Sequence, residues 1–242
     1  MTFIILYKIN INFYYNNTEL CYNLIGENMS NVGAEIKNIY NEIAEKYDAA
    51  LWYDMPYNKY MDLFVSYLCG KDVLDLGCAM GSFTRYIADK GCNVDGIDFS
   101  HKLIEIAKRK VKNVNFSEMD MLDLKLNKKY DGIMSINSII HIEKKHVPKL
   151  LTDINTYLKP DGIFFVILQE GNGEKYIVEP LDTRIKEFVN FYNTNEIETL
   201  LKKNGFEIIY KERIRDEAEF ELGNDQLVYI MRKITDKEKH LA

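Results

Sequence analysis

Apolar residues fall at positions 36, 39, 40, 43, 44 and 47, the i, i+3, i+4, i+7 stripe of an amphipathic helix, which Ser30 or Asn31 can cap. A second helix is predicted over 57–68, after Pro56 and stopping near Gly70. The period then changes. Residues 72–76 form a short apolar run that ends in a glycine-containing turn, as a buried parallel strand would. Helices follow over 82–90 and over 100–111, the latter capped by Ser100, with strands over 92–98, 114–119 and 130–136. A helix over 146–158 carries Val147, Leu150, Leu151, Ile154 and Tyr157 on one face, with Pro148 tolerated in its first turn. Pro160, Asp161 and Gly162 predict a turn before a strand over 163–168. Asn195 and Glu198 predict a capping box for a helix ending at Gly205, and strands over 206–213 and 226–232 close the chain.

Strands alternating with helices of this length imply βαβ units, hence an α/β, doubly wound, mostly parallel sheet covered on both faces. The last two strands have no helix between them, so they are expected to pair antiparallel through a long connection. The polar tail from Thr235 is expected to fray.

Residues 1–28 differ from the rest, with three charges, six asparagines and no regular period. Gly26 and Glu27 are encodable as a ribosome-binding sequence just ahead of Met29. Translation from Met29 is therefore expected, the other reading being a β-rich arm packed on the domain or a partner subunit. The organisation expected is a leader or arm over 1–28, two helices within 29–70, one α/β domain over 71–234 and a tail over 235–242.

Composition narrows the function. Of 242 residues, 47% are hydrophobic and 28% charged, a globular balance. Acidic residues number 37 against 31 basic ones, for a net charge of −6, which argues against a nucleic-acid partner. The run Lys108, Arg109, Lys110 reads as a solvated helix end that complements the helix dipole. Cys21, Cys69, Cys78 and Cys92 make no paired motif, so metal ligation is not expected and reduced thiols in the cytoplasm are. No apolar run approaches the roughly 18 residues that cross a bilayer.

In an open α/β sheet, ligands bind beyond the carboxyl ends of the strands. Gly77 and Gly81 follow the first strand, where they permit a tight turn and close approach of a ligand. Asp98 ends the second, where a carboxylate can accept both hydroxyls of a ribose. Asp120 and Met121 follow the third, where they could grip an adenine, and 137–141 follow the fourth. Together these positions predict an adenosine site.

The ordered motifs VLDLGCAMGSFTRYIA, NVDGIDFS, FSEMDMLDL, YDGIMSINSIIHI, YLKPDGIFFVI and LLKKNGFEII resemble those of the class I S-adenosylmethionine-dependent methyltransferases, particularly the small-molecule type. The resemblance runs from about Gly33 to Lys233. It departs from the family at Ala79, where the first motif usually has its central glycine. It implies a Rossmann-like seven-stranded sheet with the last strand antiparallel and N-terminal lid helices. It also implies that Gly77, Cys78, Ala79 and Gly81 line the methionine portion of the cofactor and that Asp75 supports its ammonium group. Asp98, with Phe99 and Ser100, would hold the ribose, Asp120 and Met121 the adenine, and the segment from Ser135 to Asn137 would approach the sulfonium. The product would be S-adenosylhomocysteine. Tyr47 reads either as part of the lid or as core.

The acceptor pocket is expected to draw on Tyr47, Trp52, Tyr53, Tyr57 and His141, and on the insert over 170–192, which contains Tyr176, Arg184, Phe188 and Phe191. His141 stands at a strand end, either as a general base or as a packing residue. Arg184 could hold an acidic acceptor or lie on the surface. Asn137 is followed by Ser and Ile rather than Pro-Pro-Tyr, which argues against flipped-base or glutamine-amide methylation. A nicotinamide dehydrogenase would want GxGxxG, and an aminopropyltransferase paired acids after the fourth strand; neither is present. A non-catalytic S-adenosylmethionine-binding scaffold and an RNA or protein methyltransferase remain as alternatives to a small-molecule enzyme acting as monomer or homodimer.

Overall fold

Strands that bury residues on both of their faces, as β1 and β4 of this sheet do, need cover on both sides, and the helices supply it. The computed structural model describes residues 32–53, 55–215 and 225–235. Two helices, α1 (Val32–Leu51) and α2 (Asn58–Tyr67), precede β1 (Asp72–Leu76), α3 (Ser82–Asp89), β2 (Asn93–Asp98), α4 (His101–Lys110) and β3 (Asn115–Glu118). After these come β4 (Tyr130–Ile136), a 3-10 turn (Ile139–His141), α5 (Val147–Tyr157), β5 (Leu158–Gln169), β6 (Gly173–Val178) and β7 (Lys186–Phe191). Helix α6 (Thr194–Lys203) and strands β8 (Phe206–Ile214) and β9 (Gln226–Lys233) complete the fold.

The main sheet has the order β3-β2-β1-β4-β5-β9-β8. Strands β1 to β5 pair in parallel, and β9 runs antiparallel to both of its neighbours, as the sequence predicted. Strand order reverses between β1 and β4, so the crevice of a doubly wound sheet opens there. One face buries Leu74, Ile133, Phe164 and Val166 under Leu150, Ile154 and Leu201. The other buries Val73, Met134, Phe165 and Ile167 under Met61, Phe64 and Ile87. Phe64 and Phe165 lie 5.5 Å apart, and complete burial of each contributes about 1.5–3 kcal/mol. Helix α1 lies across α4 and β7. Its Ile36, Ile39 and Ile43 meet Phe188, and its Ala44 meets Met80, Leu103 and Ile106.

Three local features depart from the sequence reading. The turn at Pro160 to Gly162 is an outward loop inside β5: Tyr130 pairs with Leu158, Gly132 with Ile163, and Asp161 takes a φ of +58°. The cap of α6 is Asn193, whose side chain accepts from the Glu196 amide at 3.0 Å, two residues before the predicted box. The insert is a hairpin of β6 and β7. Strand β6 is mostly exposed, while β7 buries the polar Glu187 and Asn190, so neither shows the alternation that marks a strand. Ser30, Asn31, the arm before Met29 and the tail beyond residue 235 lie outside the described residues. Among the described residues, no helix is long and apolar enough to cross a membrane.

Candidate functional site

The loop after β1 turns because Gly77 (φ +83°) and Gly81 (φ +82°) take left-handed conformations. A Cβ on Gly77 would stand 2.4 Å from the Ser138 side chain, so the loop and the turn after β4 pack closely only around a glycine. Ala79 takes a φ of +47°, the conformation a glycine would adopt, and its amide donates to Asp98 Oδ2 at 3.0 Å. Asp98 Oδ1 accepts from the Ser100 amide at 2.9 Å. Ser100 caps α4 by accepting from the Leu103 amide and donates to Asn41 Oδ1 of α1 at 2.7 Å. Asp98 thus ties the β1 loop to α4, and Ser100 ties α4 to α1. Burial pushes the Asp98 carboxyl up to about 6, against the pull of the Ser100 and Ala79 amides.

Asp75 is 2% exposed and accepts from Thr84 Oγ1 at 2.5 Å. It sits behind the loop, holding α3, rather than on the cleft surface where it was expected. Burial raises its carboxyl to about 7, Thr84 opposes the shift, and the charge of Asp98 adds to it. Cys78 and Ser135 also turn inward. The Cys78 thiol packs among Ile104, Ala107 and Phe116, where burial lifts it well above the ordinary thiol range. Ser135 donates to Leu76 O at 3.0 Å and pairs with Ser138, bracing β4 against β1. These three support the site from behind.

A cavity of about 420 Å³ opens at the ends of β2 and β3, lined by Gly33, Ala34, Lys37, Phe99, Glu118, Met119 and Asp120. The Lys37–Glu118 pair, at 2.6 Å, spans from α1 to β3 beside it. Asp120 Oδ1 accepts from the Leu122 amide, and the Met121 methyl approaches Gly77. Of the two residues predicted for an adenine, Asp120 joins Phe99 in the cavity lining, and Met121 lies against the β1 loop at Gly77.

Two polar clusters stand at the ends of β4 and β7. In the first, the Asn137 side chain donates to Tyr57 Oη at 2.9 Å, Tyr57 donates to Gln226 Oε1 at 2.9 Å, and Gln226 Nε2 donates to Asn137 Oδ1 at 3.2 Å, closing a ring. In the second, His141 is 3.0 Å from Tyr40 Oη through Nε2 and 2.9 Å from Phe188 O through Nδ1. Tyr40 also lies 3.2 Å from Glu187 Oε2, and Tyr47 packs edge-on against it at 5.7 Å. Burial and the charge of Glu187 hold the Tyr40 hydroxyl well above its ordinary value. Burial, then Glu187, lifts Glu179 to about 7. Glu187 and Gln226 were missed in the sequence. Each acts with partners tens of residues away, and neither carries a motif.

Several residues predicted for the acceptor pocket lie elsewhere. Trp52 packs over the β1 loop and α4, with Lys110 Nζ 4.2 Å and the Arg85 guanidinium 5.6 Å from its ring. Lys110 is also paired with the buried Asp48, so the basic end of α4 is not simply solvated. Tyr53 is 88% exposed. Tyr176 is exposed and bonded to Glu35, although its ring stacks edge-on against Phe188. Arg184 is engaged by its neighbour Asp182 through Nε at 2.7 Å and Nη2 at 2.5 Å. Phe191 is buried in the main core. Of that set, Tyr57 and His141 reach the carboxyl edge of the sheet.

The chain matches a methyltransferase-domain family over residues 51–211. It is 30% identical over 207 residues to an uncharacterized protein of Methanocaldococcus jannaschii, covering 72% of this chain and 77% of that one. It is 29% identical over 154 residues to a ubiquinone biosynthesis O-methyltransferase of Haemophilus ducreyi, covering 54% of this chain and 63% of the relative. Among solved structures, the 1,6-didemethyltoxoflavin-N1-methyltransferase of Burkholderia thailandensis superposes with a TM-score of 0.67 at 18% identity, covering 87% of this chain and 94% of the other. An S-adenosylmethionine-dependent methyltransferase of Clostridium acetobutylicum gives 0.62 at 20% identity, over 82% of this chain and all of its own. With the glycine loop tied to Asp98 at the carboxyl ends of β1 and β2 and the Asp120 cavity beside them at β2 and β3, this chain belongs to the methyltransferase-domain family, the S-adenosylmethionine-dependent class I methyltransferases.

Proposed function

We propose that the protein transfers a methyl group from S-adenosylmethionine to a small-molecule acceptor at the carboxyl edge of its sheet. The observation that carries this reading is the Ala79–Asp98 contact at the ends of β1 and β2, flanked on one side by the cavity at Asp120 and on the other by the turn after β4 that packs on Gly77 and carries Asn137 and His141. The residues fit the cofactor. Each Asp98 oxygen accepts one of these amide hydrogen bonds and keeps acceptor capacity for a ribose hydroxyl. Phe99, Met119 and Asp120 offer an apolar surface and a carboxylate suited to an adenine. When bound, S-adenosylmethionine supplies an electrophilic methyl group.

The chain's own residues do the rest. The β1 loop and Asp98 orient the donor, and the Asn137–Tyr57–Gln226 ring offers a preorganised polar surface to the acceptor. Helices α1 and α2 act as the lid over a domain spanning 71–234, with Tyr40 and Tyr47 excluding water. Positioning of this kind lowers a bimolecular barrier by roughly 7–11 kcal/mol. The similarity to a ubiquinone O-methyltransferase and to a toxoflavin-precursor N-methyltransferase supports a small acceptor over RNA or protein. Cys69, Cys78 and Cys92 are unpaired thiols, in keeping with a cytoplasmic setting.

Calorimetric titration with S-adenosylmethionine and S-adenosylhomocysteine, with NAD as control, tests the reading. Binding of the first two and silence with NAD is expected. Silence with all three overturns it.

A further inference from the structure

A carbonyl oxygen can only accept a hydrogen bond, so the contact of His141 Nδ1 with Phe188 O at 2.9 Å fixes a hydrogen on Nδ1. Nε2 then faces Tyr40 Oη at 3.0 Å, and the same hydroxyl reaches Glu187 Oε2 at 3.2 Å. Tyr40 has one hydrogen for two acceptors. When it donates to a bare Nε2, the contact with Glu187 lacks its hydrogen. When Nε2 carries a hydrogen and donates to Tyr40, the hydroxyl turns to Glu187 and every bond of the group is made. The cluster therefore has two hydrogen-bond arrangements that differ by one proton, and the richer one is the proton-loaded form.

We infer that Tyr40 is the catalytic group that receives the acceptor's proton, with His141 and Glu187 as positioning residues behind it, so that the acceptor class is one that loses a proton on methylation: a hydroxyl or an N–H. This rests on the methyltransferase reading above. Tyr40 packs on the cluster of Ala44, Met80, Leu103 and Ile106 and meets His141, on the helix that lies across α4 and β7. As the acceptor–methyl bond forms, the methyl–sulfur electron pair stays on sulfur. The acceptor's proton passes to Tyr40 Oη while the hydroxyl hydrogen of Tyr40 moves to His141 Nε2. Tyr40 ends unchanged, His141 carries the added proton, and the rotated hydroxyl bonds Glu187. The groups around the pair are Glu187 on β7, Glu179 in the loop before it, Tyr47 on α1 and Asp98 at the end of β2.

The test has three arms on the full chain. Calorimetry with S-adenosylhomocysteine on wild type, Tyr40→Phe and Glu187→Gln checks the cofactor reading; loss in wild type sinks that reading rather than this one. In ligand-free protein labelled with 15N-histidine, Tyr40→Phe and Glu187→Gln should both move the Nε2 resonance of His141 and leave its Nδ1 assignment intact. Unmoved resonances overturn the relay. Finally, a panel of phenols, primary amines and thioethers is offered as acceptors. Turnover of the O–H or N–H members is expected, with kcat falling roughly 100-fold or more in Tyr40→Phe and roughly tenfold in Glu187→Gln at little change in KM. Preference for thioethers, or full kcat in Tyr40→Phe, overturns the proposal. If none is turned over, the histidine resonances decide.

Discussion

The amide of Ala79 donates to the Asp98 carboxylate at 3.0 Å, joining the turn after the first strand to the end of the second. The residue at the centre of that turn has a side chain, yet its φ of +47° is the one glycine would take. An L-residue held there costs about 1 kcal/mol relative to glycine. Ala79→Gly is therefore expected to raise the thermal midpoint or leave it unchanged, with S-adenosylhomocysteine affinity at least retained by calorimetry. A drop in both would mean that the alanine methyl contributes packing that outweighs its strain.

Asp98→Ala removes the acceptor for two amides as well as the carboxylate proposed to hold the ribose. The protein should lose about 1–3 kcal/mol in denaturant titration and remain folded by circular dichroism. Cofactor affinity should fall roughly 100-fold or more, as expected for charged hydrogen bonds. Unchanged affinity would refute the assignment of Asp98 to the ribose.

Asp75 and Asp98 sit at about 7 and about 6, above the roughly 3.9 of an unfolded chain, and burial is the first cause in both. Between those values the folded state holds more protons than the unfolded one, so stability declines as pH rises through the window. Glu179, at about 7, acts in the same direction. The ligand-free thermal midpoint should therefore fall between about pH 5 and pH 7. The slope should be shallower in Asp75→Asn, which keeps an acceptor for Thr84. A midpoint that climbs over this interval would contradict the burial of these carboxyls.

The chain has a single tryptophan. Trp52 lies at the end of α1 beneath Lys110, whose ammonium is 2.5 Å and 2.6 Å from the two oxygens of Asp48. Lys110→Ala leaves Asp48 buried without that charge partner, at a cost on the order of 1–3 kcal/mol, between that of a surface pair and a fully buried one. The tryptophan emission should shift to the red as the end of α1 loosens. Emission and stability both matching wild type would show that this latch contributes nothing.

The seven-stranded frame was legible because β1, β4 and β5 are short, mostly apolar stretches between helical periods, Gly77 and Gly81 fall just beyond β1, and Asp98 ends β2. The hairpin was not legible. Glu187 and Asn190 occupy buried positions on β7, where a periodicity argument expects apolar residues. Arg184 was read either as a hold for an acidic acceptor or as a surface residue; its side chain is exposed and engaged by Asp182 two residues away, a contact that depends on the local turn and not on residue type. Asn193 and Asn195 are equally good caps in isolation, and the choice between them rests on where the chain leaves β7. Gln226 joins Asn137 across 89 residues, a distance no local pattern encodes.

Because β9 runs backward between two forward strands, its first residue lies at the edge where its neighbours finish. Ile214 ends β8 at that same edge, and Gln226 begins β9 there. Gln226 meets Asn137 at this edge, while the cavity at Asp120 lies at the opposite flank of the sheet, by β2 and β3. The two halves of the ligand problem thus belong to different stretches of polypeptide. Substitution at Gln226 therefore alters the polar ring with Asn137 and Tyr57 and leaves the Ala79–Asp98 contact in place.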